Sequence, residues 1–190
     1  MSRMPSWPTI LAAWHPVTIR QDTNAEADAL FAALASAPGE LILVYPNSDA
    51  GSYALIERTR TLDAARSHTH IFVNLDAVTY WSLLGQVDAM VGNSSSGIME
   101  AASFALPVVN VGMRQQGRER AANVIDVAAE TSAILAAIHS ALAPEFRSSL
   151  LGMTNPYGDG RAAKTIAHIL ATVPLEGLLI KRPAPLLSCP

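Results

Sequence analysis

The chain has 190 residues, of which 50% are hydrophobic and 15% are charged. This length and composition predict one well-buried domain and exclude an intrinsically disordered chain. The formal net charge of -3 argues against non-specific binding to nucleic acid or to an anionic membrane surface. Any phosphate that binds here must therefore be held locally, by main-chain amides or by a few arginines.

The sequence contains a single cysteine, Cys189, so no disulfide can form within the chain, and this usage fits a reducing cytoplasm. The apolar stretch at residues 10–14 is too short for a signal sequence, and it is far below the roughly 18 residues of a membrane span. Elsewhere in the sequence, the apolar runs are interrupted before they reach that length. We expect a cytoplasmic protein with no membrane partner.

Short apolar strands alternate with helical patterns along the chain. The predicted strands cover residues 9–14, 40–45, 71–74, 88–92, 107–112 and 123–127. The predicted helices cover residues 24–37, about 50–66, about 78–86, the segment after the serines near residue 95, about 130–142 and about 160–171. Asn24 is predicted to be the N-cap of the first helix.

The strands are apolar rather than alternating, which predicts that helices cover both faces of the sheet. Six alternations of strand and helix predict an α/β fold with a doubly wound, mostly parallel, Rossmann-like sheet. In such sheets ligands bind beyond the carboxyl ends of the strands, near the point where the strand order reverses. The candidate site therefore lies in the loops that follow the strands.

The loops after the first two strands contain polar side chains. His15 follows the first strand directly; it is either a structural histidine or one that donates to a phosphate or moves a proton. Asn47 and Asp49 lie in the second loop, where Asn47 occupies a ligand position. The simpler interpretation of this loop is a turn, with Asp49 capping the next helix.

The segment GNSSSG, residues 92–97, joins a predicted strand to a predicted helix. It is too short and too closely flanked by apolar elements to be a linker. It lacks the glycine spacing of a nucleophile elbow, and no lysine follows the second glycine as it would in a P-loop. Main-chain N–H groups at a helix N-terminus suit a phosphate, so we interpret Ser94 and Ser95 as part of an anion site.

Charged residues follow the serines. Glu100, expected in the first turns of the helix, could accept hydrogen bonds from a ribose diol, or it could be a surface residue that compensates the helix dipole. The loop after the fifth strand contains Arg114, Arg118 and Arg120. This cluster fits a diphosphate, and the alternative is a solvated charged loop.

Taken in order, these motifs resemble one family. The segment GNSSSGIMEAASFALPVVNVGMRQQGRERAANVIDV at residues 92–127 resembles the C-terminal domain of the hydrolysing UDP-N-acetylglucosamine 2-epimerases of sialic-acid biosynthesis, as do HPVT, YPNSDAGS and NPYGDG. The resemblance covers roughly residues 10–170. The non-hydrolysing branch differs, because its corresponding loop reads more like DSGG-x-QEE.

The resemblance implies the C-terminal half of a glycosyltransferase-B-like fold. Residues 1–172 would form the UDP-binding domain. Residues 173–190 would form a proline-rich extension. The implied roles are a catalytic His15 near the diphosphate or sugar, Asn47 lining the site, the Leu75 main chain at the uracil, Ser94 and Ser95 at phosphate, Glu100 at the ribose and Arg114 at the diphosphate. Arg118 would be structural. No cofactor and no metal are expected.

The implied reaction is elimination of UDP through a 2-acetamidoglucal-like intermediate, followed by addition of water to give N-acetylmannosamine. The family's acid/base carboxylates lie in an N-terminal domain that the resemblance does not cover. We therefore expect UDP and UDP-N-acetylglucosamine as ligands and an N-terminal domain or a homo-oligomer as partner, with apolar surface exposed in its absence. The alternatives are a non-catalytic nucleotide-sugar-binding module or partner subunit, and the C-terminal domain of a glycosyltransferase.

Overall fold

The computed structural model describes residues 7–17, 24–174 and 176. Its strands are β1 (Thr9–Ala13), β2 (Glu40–Val44), β3 (Thr69–Phe72), β4 (Ala89–Gly92), β5 (Val108–Val111) and β6 (Val124–Val127). Its helices are α1 (Asn24–Ser36), α2 (Ser52–Ala65), α3 (Ala77–Leu84), α4 (Ser95–Met99), α5 (Thr131–Leu142), α6 (Pro144–Ser149) and α7 (Ala162–Thr172), with a short 3-10 helix at Ala101–Phe104.

The strands form one sheet in the order β3-β2-β1-β4-β5-β6, and every pairing between neighbours is parallel. The order reverses between β1 and β4, where Ala13 is paired with Gly92. We call the carboxyl ends of these two strands the switch point. The predicted doubly wound parallel sheet is confirmed.

The core lies on both faces of the central strands β1, β4 and β5, whose residues are almost all buried. On one face the buried side chains include Leu30 of α1 and Ile138 of α5, and on the other they include Leu84 of α3 and Leu106. The expectation that every strand is covered on both faces is wrong for β3 and β6. These two are edge strands, and several of their side chains reach solvent.

The element boundaries differ from the prediction in a few places. β3 begins two residues before the predicted 71–74, because its half-exposed positions do not form an apolar run. The predicted N-cap of α1 is wrong, since Asn24 is the first residue of the helix itself. α6 was not predicted; it is short, has a proline in its first turn and buries none of its residues.

The chain divides into two compact units, Met1–Tyr157 and Gly158–Pro190. The sheet and α1 to α6 belong to the first unit, and α7 belongs to the second. Most of the predicted extension at 173–190 lies outside the described residues, so the domain boundary after residue 172 stays a prediction. No helix within the described residues is long and apolar enough to cross a membrane.

Candidate active site

Asn93 joins the loops that follow β1 and β4 at the switch point. Its Oδ1 accepts a hydrogen bond from the main-chain N of His15 at 2.7 Å, and its Nδ2 donates to the main-chain O of His15 at 2.9 Å. Its own main-chain N donates to the O of Ala13 at 3.2 Å. Asn93 is 0% exposed. Because each of these polar groups is paired, the amide holds the backbone at His15 in one position.

The loop after β5 joins the same residue. Arg114 Nη1 and Gln115 Nε2 both donate to the main-chain O of Asn93, at 2.9 and 2.8 Å. Gln115 is buried, whereas Arg114 is half-buried. A guanidinium has several further N–H donors, so this contact orients Arg114 and leaves donors for a ligand.

The loop after β2 contacts the histidine ring. The main-chain N of Asn47 donates to Nδ1 of His15 at 3.2 Å, and Asn47 Nδ2 donates to Oδ2 of Asp49 at 2.6 Å. The expected capping role of Asp49 is wrong, because Gly51 is the N-cap of α2 and no side chain caps it. The Asp49 carboxylate instead orients the Asn47 amide.

The electrostatics of these loops favour an uncharged histidine beside a charged arginine. Burial lowers the pKa of His15 below its ordinary value, and the positive charge of Arg114 lowers it further, while a contact with the Asn47 side chain and the charge of Asp49 oppose this. Burial also lowers the pKa of Arg114. An arginine begins so far above neutrality that it keeps its charge. The site therefore combines the Arg114 cation with a neutral ring.

The serines form the start of α4 as predicted. Ser94 is the N-cap, and its Oγ accepts a long hydrogen bond from the main-chain N of Ser96 at 3.4 Å. Ser95 is the first residue of the helix, and both Ser94 and Ser95 are half-buried at the switch point. Their position at the carboxyl end of β4 places them with His15 and Arg114 around one edge of the sheet.

The two glycines around the serines are sites of close approach. A Cβ on Gly92, which has a φ of 140°, would lie 2.0 Å from the main-chain O of Ala13. A Cβ on Gly97 would lie 2.9 Å from Cγ1 of Val108. Glycine at these positions therefore lets β4 meet β1 and lets α4 pack onto the sheet.

Glu100 does not lie in the first turns of a long helix, because α4 ends at Met99 and Glu100 follows as its C-cap. Glu100 is also the N-cap of the short 3-10 helix at Ala101–Phe104, where its side chain makes no capping hydrogen bond. The charge of the Glu100 carboxylate affects the pKa of Tyr80 on α3, a residue that no sequence motif indicated. Burial raises the pKa of Tyr80, the nearby Ser96 hydroxyl lowers it, and the charge of Glu100 raises it further.

The remaining predicted residues lie at the same edge without joining the network around Asn93. Leu75 follows β3 and is half-buried, two strands away from the switch point. Arg118 Nη1 contacts Sδ of Met99 at 3.0 Å. Arg120 pairs with Asp126 at 2.6 Å and thereby supports the loop.

The chemistry of this edge suits an anion. Its donors are a guanidinium, an imidazole, amides and serine hydroxyls, which are typical of phosphate sites. Within the described residues, no group of three or more His, Cys, Asp or Glu side chains is placed to hold a metal ion.

Residues 2–171 match the family model described as UDP-N-acetylglucosamine 2-epimerase. The chain belongs to this epimerase family. The UDP-N,N'-diacetylbacillosamine 2-epimerase (hydrolyzing) of Legionella pneumophila is 36% identical over 174 residues, which are 90% of this chain and 45% of that protein. The UDP-N-acetylglucosamine 2-epimerase of Neisseria meningitidis is 30% identical over 132 residues, 69% of this chain and 34% of that protein. This chain thus spans less than half the length of these epimerases.

Solved structures of epimerases share the fold. The S. aureus MnaA-UDP co-structure superposes with a TM-score of 0.72 at 18% identity, over 95% of this chain and 49% of that one. A Neisseria meningitidis UDP-GlcNAc 2-epimerase bound to UDP-GlcNAc gives a TM-score of 0.61 at 17% identity, over 87% of this chain and 44% of that one. The predicted fold class and the family resemblance are both confirmed.

Proposed function

We propose that this epimerase-family chain supplies the UDP-binding half of a hydrolysing 2-epimerase, which converts UDP-N-acetylglucosamine and water to N-acetylmannosamine and UDP. The observation that carries the proposal is the Arg114 guanidinium, hydrogen-bonded to Asn93 beside His15 at the switch point. This is the edge at which doubly wound sheets bind nucleotides. The S. aureus relative of the same fold was solved with UDP.

In this proposal each polar group at the edge contacts one part of the ligand. Arg114 and the N-terminus of α4 bind the diphosphate, and Glu100 accepts hydrogen bonds from the ribose hydroxyls. The main chain of Leu75, a half-buried residue, contacts the uracil. The full set is His15, Asn47, Leu75, Ser94, Ser95, Glu100 and Arg114.

In the proposed reaction, negative charge develops on the diphosphate, which is the part of the substrate that this chain binds. The bond between sugar C1 and the diphosphate oxygen breaks while the C2 proton leaves, and UDP keeps the bonding electrons. Water then adds to the resulting glucal. Because negative charge builds on the departing diphosphate, the oriented positive charge of Arg114 stabilises the transition state more than the ground state. Removal of the C2 proton falls to the carboxylates of the N-terminal domain that the family resemblance implies.

The names of two relatives favour a second candidate sugar. The Legionella pneumophila protein and a Campylobacter jejuni protein, which is 36% identical over 119 residues, are both named as 2-epimerases of UDP-N,N'-diacetylbacillosamine. That sugar and N-acetylglucosamine carry the same acetamido group on C2, the carbon that is epimerised. Assaying both nucleotide sugars in parallel distinguishes the two substrates.

UDP binding tests the site. Calorimetry should detect UDP binding to the wild-type chain, and Arg114→Gln should weaken it by about 5- to 150-fold, as expected for loss of a charge-assisted hydrogen bond of about 1–3 kcal/mol. Arg60→Gln is the matched control, because it removes an exposed guanidinium on α2. No binding by the wild type at millimolar UDP, or equal losses in both variants, would contradict the assignment.

The proposed turnover also needs the carboxylates that the family resemblance places in an N-terminal domain. Mixing the chain with a separately expressed N-terminal half of the Legionella pneumophila relative should restore release of UDP from a UDP-sugar. If a complex forms and no turnover returns, the chain is better described as a non-catalytic nucleotide-sugar-binding module.

A further inference from the structure

Two residues of the segment NPYGDG, Asn155 and Tyr157, bond to the elements around the candidate site. Asn155 is half-buried, and its Oδ1 accepts a hydrogen bond from the main-chain N of Tyr157 at 2.9 Å. A side-chain oxygen that bonds two residues ahead makes a local turn. The NH₂ group of the same side chain is therefore available to bond outside this turn.

The partner of this NH₂ group is the peptide group that precedes Glu100. Asn155 Nδ2 donates to the main-chain O of Met99 at 2.8 Å and to Oγ of Ser103 at 2.8 Å. Since α4 ends at Met99, that carbonyl belongs to the last turn of the helix, whose C=O groups have no partner within the helix. Asn155 supplies the missing donor from 56 positions away in the chain.

This bond helps to fix the main chain at Glu100. The N of Glu100 donates to the O of Ser96 at 3.0 Å, and its O accepts from the N of Ser103 at 2.9 Å. The bond from Asn155 holds the O of the Met99–Glu100 peptide group. Because a peptide group is planar, one bond at its O and one at its N leave it little freedom. The Glu100 side chain therefore leaves the main chain in a set direction.

The loop after β5 is tied to the same segment. The hydroxyl of Tyr157 donates to the main-chain O of Glu119 at 3.0 Å. Arg118, which precedes Glu119, contacts Sδ of Met99 at 3.0 Å. The end of α4, residues 155–157 and the loop after β5 thus form a closed ring of contacts, which restrains each of them.

We infer that Asn155 is a positioning residue that holds the Glu100 carboxylate for the ribose and thereby sets a preference for a ribonucleotide over a 2′-deoxyribonucleotide. The ligand and the ribose contact of Glu100 rest on the proposed function. The bond to Met99, in contrast, belongs to the ligand-free chain. Asn155 acts through Glu100 and is not a catalytic residue.

The physical reason is that a carboxylate distinguishes a hydroxyl best when it is already oriented. A charge-assisted hydrogen bond to the 2′-hydroxyl contributes its full strength only if no ordering of Glu100 must accompany binding. 2′-deoxy-UDP lacks that hydroxyl and gains less from an oriented carboxylate. Loss of the Asn155 bond should therefore weaken UDP more than 2′-deoxy-UDP.

Calorimetry with UDP and 2′-deoxy-UDP tests this role. Asn155→Ser removes the amide donor, while its hydroxyl can still accept from the main-chain N of Tyr157. The wild type should prefer UDP by about fivefold or more, the effect of one hydrogen bond, and the variant should lose most of that preference, as Glu100→Ala does. A merely structural role would weaken both ligands alike and leave the preference unchanged.

Two further variants sharpen this test. Asn155→Asp keeps the acceptor of the turn and removes the donor, and its added charge repels both diphosphates alike, so the preference should again fall. Ser103→Ala is the control, because it removes the second acceptor and leaves the Met99 carbonyl in place. The control should keep the wild-type preference. Thermal melting identifies the variants that are folded.

Hydrogen exchange of the Glu100 amide, followed by NMR, tests the positioning without any nucleotide. This amide closes the last turn of α4 through its bond to Ser96, and the turn opens more often once the Met99 carbonyl loses its donor. Asn155→Ser should speed this exchange by about fivefold or more, and Ser103→Ala should change it much less.

The outcomes separate this inference from the proposed function. Unchanged exchange in Asn155→Ser overturns the positioning of Glu100 whatever the ligand is. An unchanged preference for UDP in the folded Asn155 variants overturns the role at the ribose, and so does a wild type that binds both nucleotides equally. If the wild type binds no UDP, the proposed function fails, and the exchange rate still decides whether Asn155 holds the main chain at Glu100.

Discussion

At the scale of single residues, Asn93 shows why hydrogen-bond partners matter more here than residue type. Its amide and its main chain bond to Ala13, His15, Arg114 and Gln115, which lie at or after the carboxyl ends of β1 and β5, while Asn93 itself follows β4. Asparagine beside glycine and serine is typical of a turn, so its role was not apparent from the sequence. The available signal was its position directly after a buried central strand.

The lowered pKa of His15 predicts a pH dependence of stability. The unfolded chain takes up a proton near the ordinary value of 6.5, whereas the folded chain resists protonation until a lower pH. Between these two pKa values the unfolded state binds more protons, so the free energy of unfolding falls as the pH falls below about 6.5. Above that value the contribution of His15 to stability is fully present.

Urea unfolding at pH 7.5 and pH 5.5 measures this effect when wild type is compared with His15→Gln. The other titrating groups act alike in both proteins, so the variant should lose less stability on acidification than the wild type does. Identical losses would show that the pKa of His15 is not lowered in the folded chain.

At the scale of elements, the junction of β1 and β4 depends on Gly92. The positive φ and the 2.0 Å approach to the O of Ala13 leave no room for a side chain. A strand pattern in the sequence ends at this glycine, but only the parallel pairing with β1 shows what lies against it. The same pairing brings His15 and Asn93 within hydrogen-bond distance although 78 positions separate them.

Gly92→Ala should therefore destabilise the fold severely, by about 3 kcal/mol or more, because both backbone strain and a steric clash are added. Gly117→Ala is the matched control: Gly117 also has a positive φ, of 83°, and a Cβ added there would meet no atom within 4 Å. The control should cost only about 1 kcal/mol. Chemical unfolding measures both, and equal losses would show that close packing at Gly92 is unimportant.

At the scale of the whole molecule, the small negative net charge is consistent with an anion site that is built from a few local donors. A net charge of -3 gives no general attraction for phosphate, so an anion site needs local groups such as Arg114.

A second feature at this scale is α7, which buries none of its residues. Ile166, Ile169 and Leu170 are 56%, 53% and 71% exposed, respectively.

Because water disfavours an exposed apolar helix face, the isolated chain should self-associate as its concentration rises. Leu170→Glu should reduce this association. His168→Glu, which adds the same side chain on the opposite side of α7, should reduce it much less. Sedimentation velocity over a concentration series measures the effect. A wild type that stays monomeric, or two variants that behave alike, would contradict the expectation.

The order of strands and helices along the chain and the parallel sheet followed from the sequence alone, and so did the edge of the sheet at which we place the candidate site. Neighbouring residues in the chain determine the local apolar patterns, and the geometry of parallel sheets is common to all folds of this class. Both kinds of feature can therefore be inferred from the sequence. His15 and Arg114 were found in the same way, since each follows a strand.

Only the tertiary structure decided which groups pair at that edge. The central role of Asn93, the hydrogen bond between Asn47 and His15 and the place of Glu100 beside Tyr80 depend on contacts between residues far apart in the chain. Such contacts arise from strand order and register, which place specific loop atoms within hydrogen-bond distance. A sequence pattern does not contain those distances. The sequence therefore indicated where the candidate site should lie, whereas its hydrogen bonds required the structure.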